Sequence, residues 1–245
     1  MQRYKITIAY DGTRYAGWQV QPNAVTVQET LETALRDLTG EAARVHGSGR
    51  TDQGVHARGQ AAHFDLENKT AAAGLRRGLN ALLPGDIRIR KAETVPPSFH
   101  ARRSARGKEY RYFIWNAEIV PPFLRLYRLH VRKKLDVSAM RAAARPLVGR
   151  HDFRSFAANP NRAVATHVRR VSRLEVRKRG AEIVVIAAGE GFLYRMVRSF
   201  AGWLIRVGEG AVASSEAAGV LAAGVRTARV PTAPAQGLFL WRVEY

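Results

Sequence analysis

Along the first residues, apolar and polar positions alternate one by one. Tyr4, Ile6, Ile8 and Tyr10 are separated by Lys5, Thr7 and Ala9, a period of two that predicts a strand with one buried face, and Asp11-Gly12 ends it. From Thr26 the period lengthens. Val27, Leu31, Leu35 and Leu38 share one helical face, Thr26 and Glu29 have the spacing of a capping box, and Gly40 supplies the stop. Further strands are predicted over 59–66, 87–95, 108–116, 169–178, 182–188 and 238–245, and helices over 70–82, 137–148, 192–207 and 215–223. On the helix from Phe192, the residues Phe192, Met196, Ser199, Trp203 and Val207 form a mainly apolar stripe, while Gly191, Arg195, Arg198 and Gly202 lie on another.

Strands and helices mix without regular βαβ alternation, which predicts an α+β fold: a largely antiparallel or mixed sheet, helices on one face, the other face open to a ligand. A basic stretch from Val95 to Arg106, with Pro96-Pro97 at its start, divides the chain into two similar-sized halves. The expected domains are 1–104 and 105–245.

Charge narrows the class of ligand. The 245 residues carry 40 Lys plus Arg against 20 Asp plus Glu, a net charge of +20, and a compact molecule so charged repels itself unless a polyanion neutralises the excess. Nucleic acid is the first candidate partner, so the open face is expected to be its binding cleft; a basic surface kept for solubility is the competing explanation. The absence of cysteine excludes disulfides, thiolate metal sites and cysteine nucleophiles. The longest aliphatic run, Ile183 to Ala188, is far short of the roughly 20 residues of a membrane span, and the N-terminus lacks the apolar core of a signal peptide. A cytoplasmic protein without membrane attachment is expected.

The densest group of unusual residues is Gly47-Ser48-Gly49-Arg50-Thr51-Asp52-Gln53-Gly54-Val55-His56-Ala57. Three glycines in eight residues let the backbone take positive φ and approach a substrate closely, while Arg50, Asp52 and His56 supply chemical groups. The residues alone leave two readings open: a reactive loop, or a tight turn in which Asp52 bonds neighbouring amides.

The segment Gly49-Arg50-Thr51-Asp52-x-Gly54-Val55-His56-Ala57 resembles the catalytic-aspartate loop of the tRNA pseudouridine synthases that modify positions 38, 39 and 40 of the anticodon arm. The resemblance extends over nearly the whole chain. It includes Tyr10-Asp11-Gly12-Thr13-x-Tyr15-x-Gly17-Trp18-Gln19, Val27-Gln28-Glu29-x-Leu31-Glu32, Phe99-His100-Ala101-Arg102 and Lys108-x-Tyr110-x-Tyr112. It continues through His151-Asp152-Phe153-x-Ser155-Phe156, Phe192-Leu193-x-x-Met196-Val197-Arg198 and Gly237-Leu238-x-Leu240. The resemblance implies that Asp52 is the nucleophile, Tyr110 the active-site tyrosine over the target uracil, and Arg198 the arginine paired with the Asp52 carboxylate.

Each role fits the chemistry. Isomerisation to pseudouridine breaks an N-glycosidic bond and rejoins the uracil through C5, so the atoms balance within the substrate and neither cofactor nor metal is formally required. A carboxylate can form an adduct with the sugar or the uracil ring and leave afterwards. A stacked uridine is inaccessible, so the nucleotide must be flipped out; Arg50 is the candidate to stabilise the gap, and bonding to its own loop is the alternative. His56 reads more readily as a loop-shaping residue than as an acid or base. The basic segments Arg76-Arg77, Arg102-Arg103-Ser104-Ala105-Arg106-Gly107-Lys108, Arg169-Arg170 and Arg177-Lys178-Arg179 are expected to meet phosphates. The resemblance also implies a homodimer with one tRNA across both subunits. Rival readings are a non-catalytic RNA-binding protein, a pseudouridine synthase acting on another RNA, and a metal-dependent nuclease, for which acidic residues are too sparse.

Overall fold

The computed structural model describes residues 1–158 and 165–245. In chain order the elements are β1 (Gln2–Tyr10), α1 (Val27–Thr39), β2 (His46–Gly47), β3 (His56–Leu66), α2 (Ala72–Leu82), β4 (Ile87–Val95), β5 (Gly107–Trp115) and β6 (Leu129–His130). There follow α3 (Val137–Ala144), β7 (Gly149–Asp152), β8 (Val168–Arg179), β9 (Glu182–Gly189), α4 (Met196–Gly208), α5 (Ala217–Ala222) and β10 (Leu238–Glu244). The result is the expected mixed α+β architecture. Two compact units form, Met1–Arg106 with Phe239–Tyr245, and Gly107–Leu238.

In the first unit the strand order is β4-β1-β3-β10. Pairing is antiparallel except for β10, which runs parallel to β3 with Phe239 opposite His56. The alternation of β1 does what its pattern predicts: Tyr4, Ile6 and Ile8 are fully buried, opposite Phe64, Ala62 and Gln60 of β3. Val27, Leu31 and Leu35 of α1 and Leu75 and Leu79 of α2 are buried as well. Where the two helices meet, a Cβ on Gly78 would fall 2.5 Å from Leu38 Cδ1. Thr26 Oγ1 accepts from Glu29 N at 3.3 Å, so one half of the predicted capping box forms; among the described residues no reciprocal bond from the Glu29 carboxylate is made. Such a cap contributes ~1 kcal/mol.

Residues of opposite parity on β1 face the other way and carry charge: Arg3 is paired with Asp65 at 2.7 Å and Lys5 with Glu93 at 2.8 Å. The 96–106 segment and Tyr245 lie over part of this face. Lys5 Nζ sits 4.7 Å from the Tyr245 ring centroid, the Tyr245 hydroxyl donates to Ala101 O, and Ala101 N donates to His63 Nδ1 at 3.2 Å. His63 clusters with His46 and His100, whose ring centroids are 5.0 and 4.7 Å away.

In the second unit β5-β9-β8-β7 form an antiparallel run, with β6 parallel beside β5. Tyr112, Ile114, Ile183, Val185, Leu174 and Val176 share one face by register and are buried; α3 and α4 lie against that side through Met140, Phe200, Trp203 and Leu204. Phe153, Phe156, Phe200 and Trp203 meet edge to face at 5.0–6.5 Å, pairs contributing ~0.5–1.5 kcal/mol each beyond their buried area. On the other face the buried Glu109 carboxylate accepts from Arg111 Nε at 2.7 Å and Arg173 Nη2 at 2.6 Å.

Three predicted elements differ in extent by three residues or more, each for a structural reason. The helix expected from residue 192 starts at Met196, because Arg195 takes a left-handed φ of +57° that no helix can propagate; Phe192 therefore lies outside the apolar stripe. The helix expected to reach 148 ends at Ala144 and tightens into a 3₁₀ turn over Arg145–Leu147, where Pro146 removes an amide donor. Strand β3 starts at His56, three residues early, because its end pairs with β10 from the far end of the chain. Among the described residues no helix is long and apolar enough to cross a membrane.

The histidine cluster makes folding sensitive to acid. Burial, reinforced by His100 and His46, lowers the His63 pKa from 6.5 to about 4. Between those values the unfolded chain binds a proton that the folded chain refuses, so stability falls as pH drops from 6.5 towards 4. The melting temperature should decline over that window, and less steeply in a His63→Phe variant.

Candidate active site

The loop that carries Asp52 is locked to the loop following β1. Tyr10 and Thr51 hydroxyls are 2.8 Å apart in the core, and Trp18 N donates to Thr51 O at 3.1 Å. The two backbones approach so closely that side chains are excluded. A Cβ on Gly12 would lie 2.0 Å from Val55 O, and one on Gly17, whose φ is +102°, would lie 2.6 Å from Thr51 O. Asp52 O accepts from Val55 N at 3.1 Å, with Gly54 at φ +75° in the third position of the turn, the conformation a type II turn demands.

Below the turn, Ser48 N donates to Ala61 O, Ser48 Oγ to Gln60 Oε1 at 2.7 Å, and Gln60 Nε2 to Gly49 O at 2.8 Å. The Trp18 ring lies directly over Gly47, where a Cβ would fall 2.6 Å from it. Thr51 and Val55 are thus buried anchors on either side of a half-buried Asp52. The exposed Arg50 donates from Nε to Gln19 Oε1 at 3.2 Å, a side chain of the neighbouring loop.

His56 is buried and shapes the loop. Its Nδ1 accepts from Gly12 N at 3.0 Å and its ring stacks on Phe239 at 4.6 Å. Asp11 Oδ1 is also 3.1 Å from Nδ1, but the Gly12 amide is an obligatory donor, which makes the nitrogen an acceptor; Asp11 bonds Thr13 N and Oγ1 instead.

The other two predicted site residues belong to the second unit. Tyr110, half-buried on β5, meets Phe192 edge-on at 5.4 Å. Arg198 is half-buried in the first turn of α4. Its Nε donates to Ala233 O at 2.7 Å while Ala233 N donates to Arg198 O at 3.0 Å, so one residue holds both side chain and backbone. The loop 230–234 that supplies Ala233 is fixed in turn. The Tyr112 hydroxyl donates to Pro234 O at 2.8 Å, and a Cβ on Gly202 of α4 would lie 2.1 Å from Pro231 O. Burial raises the Tyr112 pKa, the Arg198 charge opposing it, which keeps the hydroxyl protonated and donating.

Sequence reasoning missed Gln60, the Tyr10–Thr51 bond and the role of loop 230–234. A glutamine at a core-facing position of β3 was a readable signal; the loop bonds depend on long-range approach and were not. Of the basic positions singled out, Arg76, Arg77, Arg102, Arg103, Arg106, Arg170, Arg177, Lys178 and Arg179 are exposed, whereas Lys108 is half-buried and Arg169 is half-buried and bonded to Thr166 O and Val168 O.

Gly17→Ala should cost about 1–3 kcal/mol, since it forces a Cβ into a left-handed residue against a backbone oxygen. A drop in melting temperature together with faster exchange of the Trp18 amide proton would show it; an unchanged rate would mean that the two loops are not coupled.

A family model described as tRNA pseudouridine synthase matches residues 6–102 and 143–245. The tRNA pseudouridine synthase A of Geotalea uraniireducens (strain Rf4) is 46% identical over 245 residues, covering all of both chains. That of Brevibacillus brevis (strain 47 / JCM 6285 / NBRC 100599) is 48% identical over 245 residues, again covering both in full. Enzymes of this kind are isomerases whose substrate is tRNA and whose product contains pseudouridine. Matched across its length in sequence, and with the residues of the aspartate loop and its supports in place, the chain belongs to the tRNA pseudouridine synthase family.

Proposed function

We propose that this isomerase acts on the anticodon arm of tRNA, at positions 38, 39 and 40, with Asp52 as nucleophile and the target uridine flipped from its stack. The observation that carries the mechanism is the mounting of Asp52: a half-buried carboxylate between two buried anchors, on a turn that a second loop clamps by backbone contact. A nucleophile held this way keeps its position while the uracil rotates.

In this reading the Asp52 carboxylate adds to the sugar or to the uracil ring, and the N1–C1′ bond breaks. The uracil turns, C5 joins C1′, the C5 proton leaves, N1 gains a proton and the carboxylate is released. Arg198 pairs with the carboxylate as its counter-ion; with Nε held by Ala233, the two Nη groups form the fork that suits a carboxylate end-on. Tyr110 stacks on the flipped base and assists removal of the C5 proton, and Arg50 supports the gap left in the RNA. The exposed arginines contact phosphates. A homodimer engaging one tRNA, in the cytoplasm, follows from the family resemblance.

Unmodified tRNA transcripts bearing uridines at positions 38 to 40 and elsewhere, incubated with the purified protein without added metal or cofactor, test the site. Pseudouridine confined to 38–40 supports the reading; product only at other positions refutes it. In the same reactions tRNA affinity should fall steeply with salt, the logarithmic slope being roughly −0.7 to −0.9 per phosphate engaged. A flat dependence would contradict the assignment of the exposed arginines.

A further inference from the structure

Arg226 lies between α5 and β10, outside every motif considered above. Its half-buried guanidinium donates from Nη1 to Ser199 Oγ at 2.8 Å and from Nη2 to Thr232 Oγ1 at 2.8 Å, and among the described residues no carboxylate pairs with it. Burial first, and then the neighbouring charge of Arg195, lower its pKa, yet a guanidinium in a protein stays charged. A cation kept half out of water without a counter-ion is costly, and this one spends its fork on two hydroxyls.

Those hydroxyls belong to the two elements that hold Arg198. Ser199 follows it in the first turn of α4, and Thr232 precedes Ala233, which bonds Arg198 through both Nε and backbone. Ser199 Oγ also donates to Arg195 O at 3.2 Å, which turns its lone pairs towards Arg226. The bonds thus close a ring: α4 to Arg226, Arg226 to loop 230–234, the loop to the Arg198 guanidinium, and Arg198 back to α4. Without the Thr232 bond, loop 230–234 would still rest on Gly202 and Tyr112, but the carbonyl that fixes the plane of the Arg198 guanidinium would lose its nearest tether.

We propose that Arg226 is a positioning residue for the isomerisation, fixing the orientation of Arg198 by fastening loop 230–234 to the first turn of α4. The inference rests on the reading of Arg198 as the partner of the reacting carboxylate. It distinguishes Arg226 from the exposed arginines: its charge serves the geometry of another side chain and not the binding of a phosphate.

The test compares kcat, KM, tRNA Kd, the salt slope of Kd and melting temperature for the full-length native protein and Arg226→Ala, Thr232→Val, Thr232→Ser and Arg198→Ala. The expected result is a fall in kcat of about 10–100-fold in both Arg226→Ala and Thr232→Val, the cost of a small misplacement of a group acting on the reaction. KM, Kd and salt slope stay within about twofold, and Thr232→Ser, which keeps the acceptor, restores near-native kcat. Because Thr232→Val changes no charge and is nearly isosteric, this pair carries the test even if Arg226→Ala fails to fold.

Native kcat in Thr232→Val, together with weakened tRNA binding and a shallower salt slope in Arg226→Ala, would overturn the proposal and make Arg226 a phosphate ligand. Arg226→Ala with full turnover would overturn it as well. Full turnover in Arg198→Ala would instead refute the role of Arg198 itself, a failure distinct from the other two.

Discussion

The placement of the Asp52 carboxylate depends on two stretches of backbone passing closer than any side chain permits. Gly12 lies against Val55 O and Gly17 against Thr51 O, so the loop after β1 clasps the turn 52–55 at both ends. The buried Tyr10–Thr51 hydroxyl pair and the Trp18–Thr51 backbone bond add direction to that contact. In the proposed role, a group that attacks, holds and releases a rotating fragment needs placing within about 0.5 Å, and a surface turn alone does not supply that precision. Here the loop buries Thr51 and Val55 and leaves Asp52 between them, which converts a glycine-rich segment from a flexible feature into a mount.

In the second unit the same economy operates through carbonyls. Arg198 is oriented by Ala233 O, and the loop that presents this oxygen is held by Tyr112, by the absence of a side chain at Gly202 and by the Arg226 fork. Committing Nε leaves the guanidinium few orientations. The positive charge of the chain therefore divides into two populations. Arg3, Arg111, Arg173, Arg198 and Arg226 are bound into the structure by named acceptors, while Arg76, Arg77, Arg102, Arg103 and Lys178 are exposed to solvent and available to a polyanion. Net charge alone, +20, does not separate the two.

What could be read from sequence follows from range. Local patterns placed β1, α1 and β4 with little error, because alternation, a cap and a stop lie within a few residues of each other. The start of α4 was misplaced, because an arginine in a left-handed conformation leaves no mark in hydrophobic periodicity. The parallel pairing of β10 with β3 joins residues about 180 positions apart, beyond any local signal. At the site, glycine spacing and residue types drew attention to the aspartate loop, but the reason for Gly12 and Gly17 appears only when the loops are brought together. Arg226 was invisible for the same reason: its meaning lies in Ser199 and Thr232, one on a helix and one on a distant loop.

In the proposed function the Asp52 carboxylate performs the chemistry on tRNA. Asp52→Asn keeps the shape and the backbone turn while removing the charge and the nucleophilic oxygen pair. Pseudouridine formation on a tRNA transcript should fall below detection in this variant, with tRNA affinity and melting temperature unchanged from the native protein. Turnover at or near the native rate in Asp52→Asn would contradict the account and require another nucleophile.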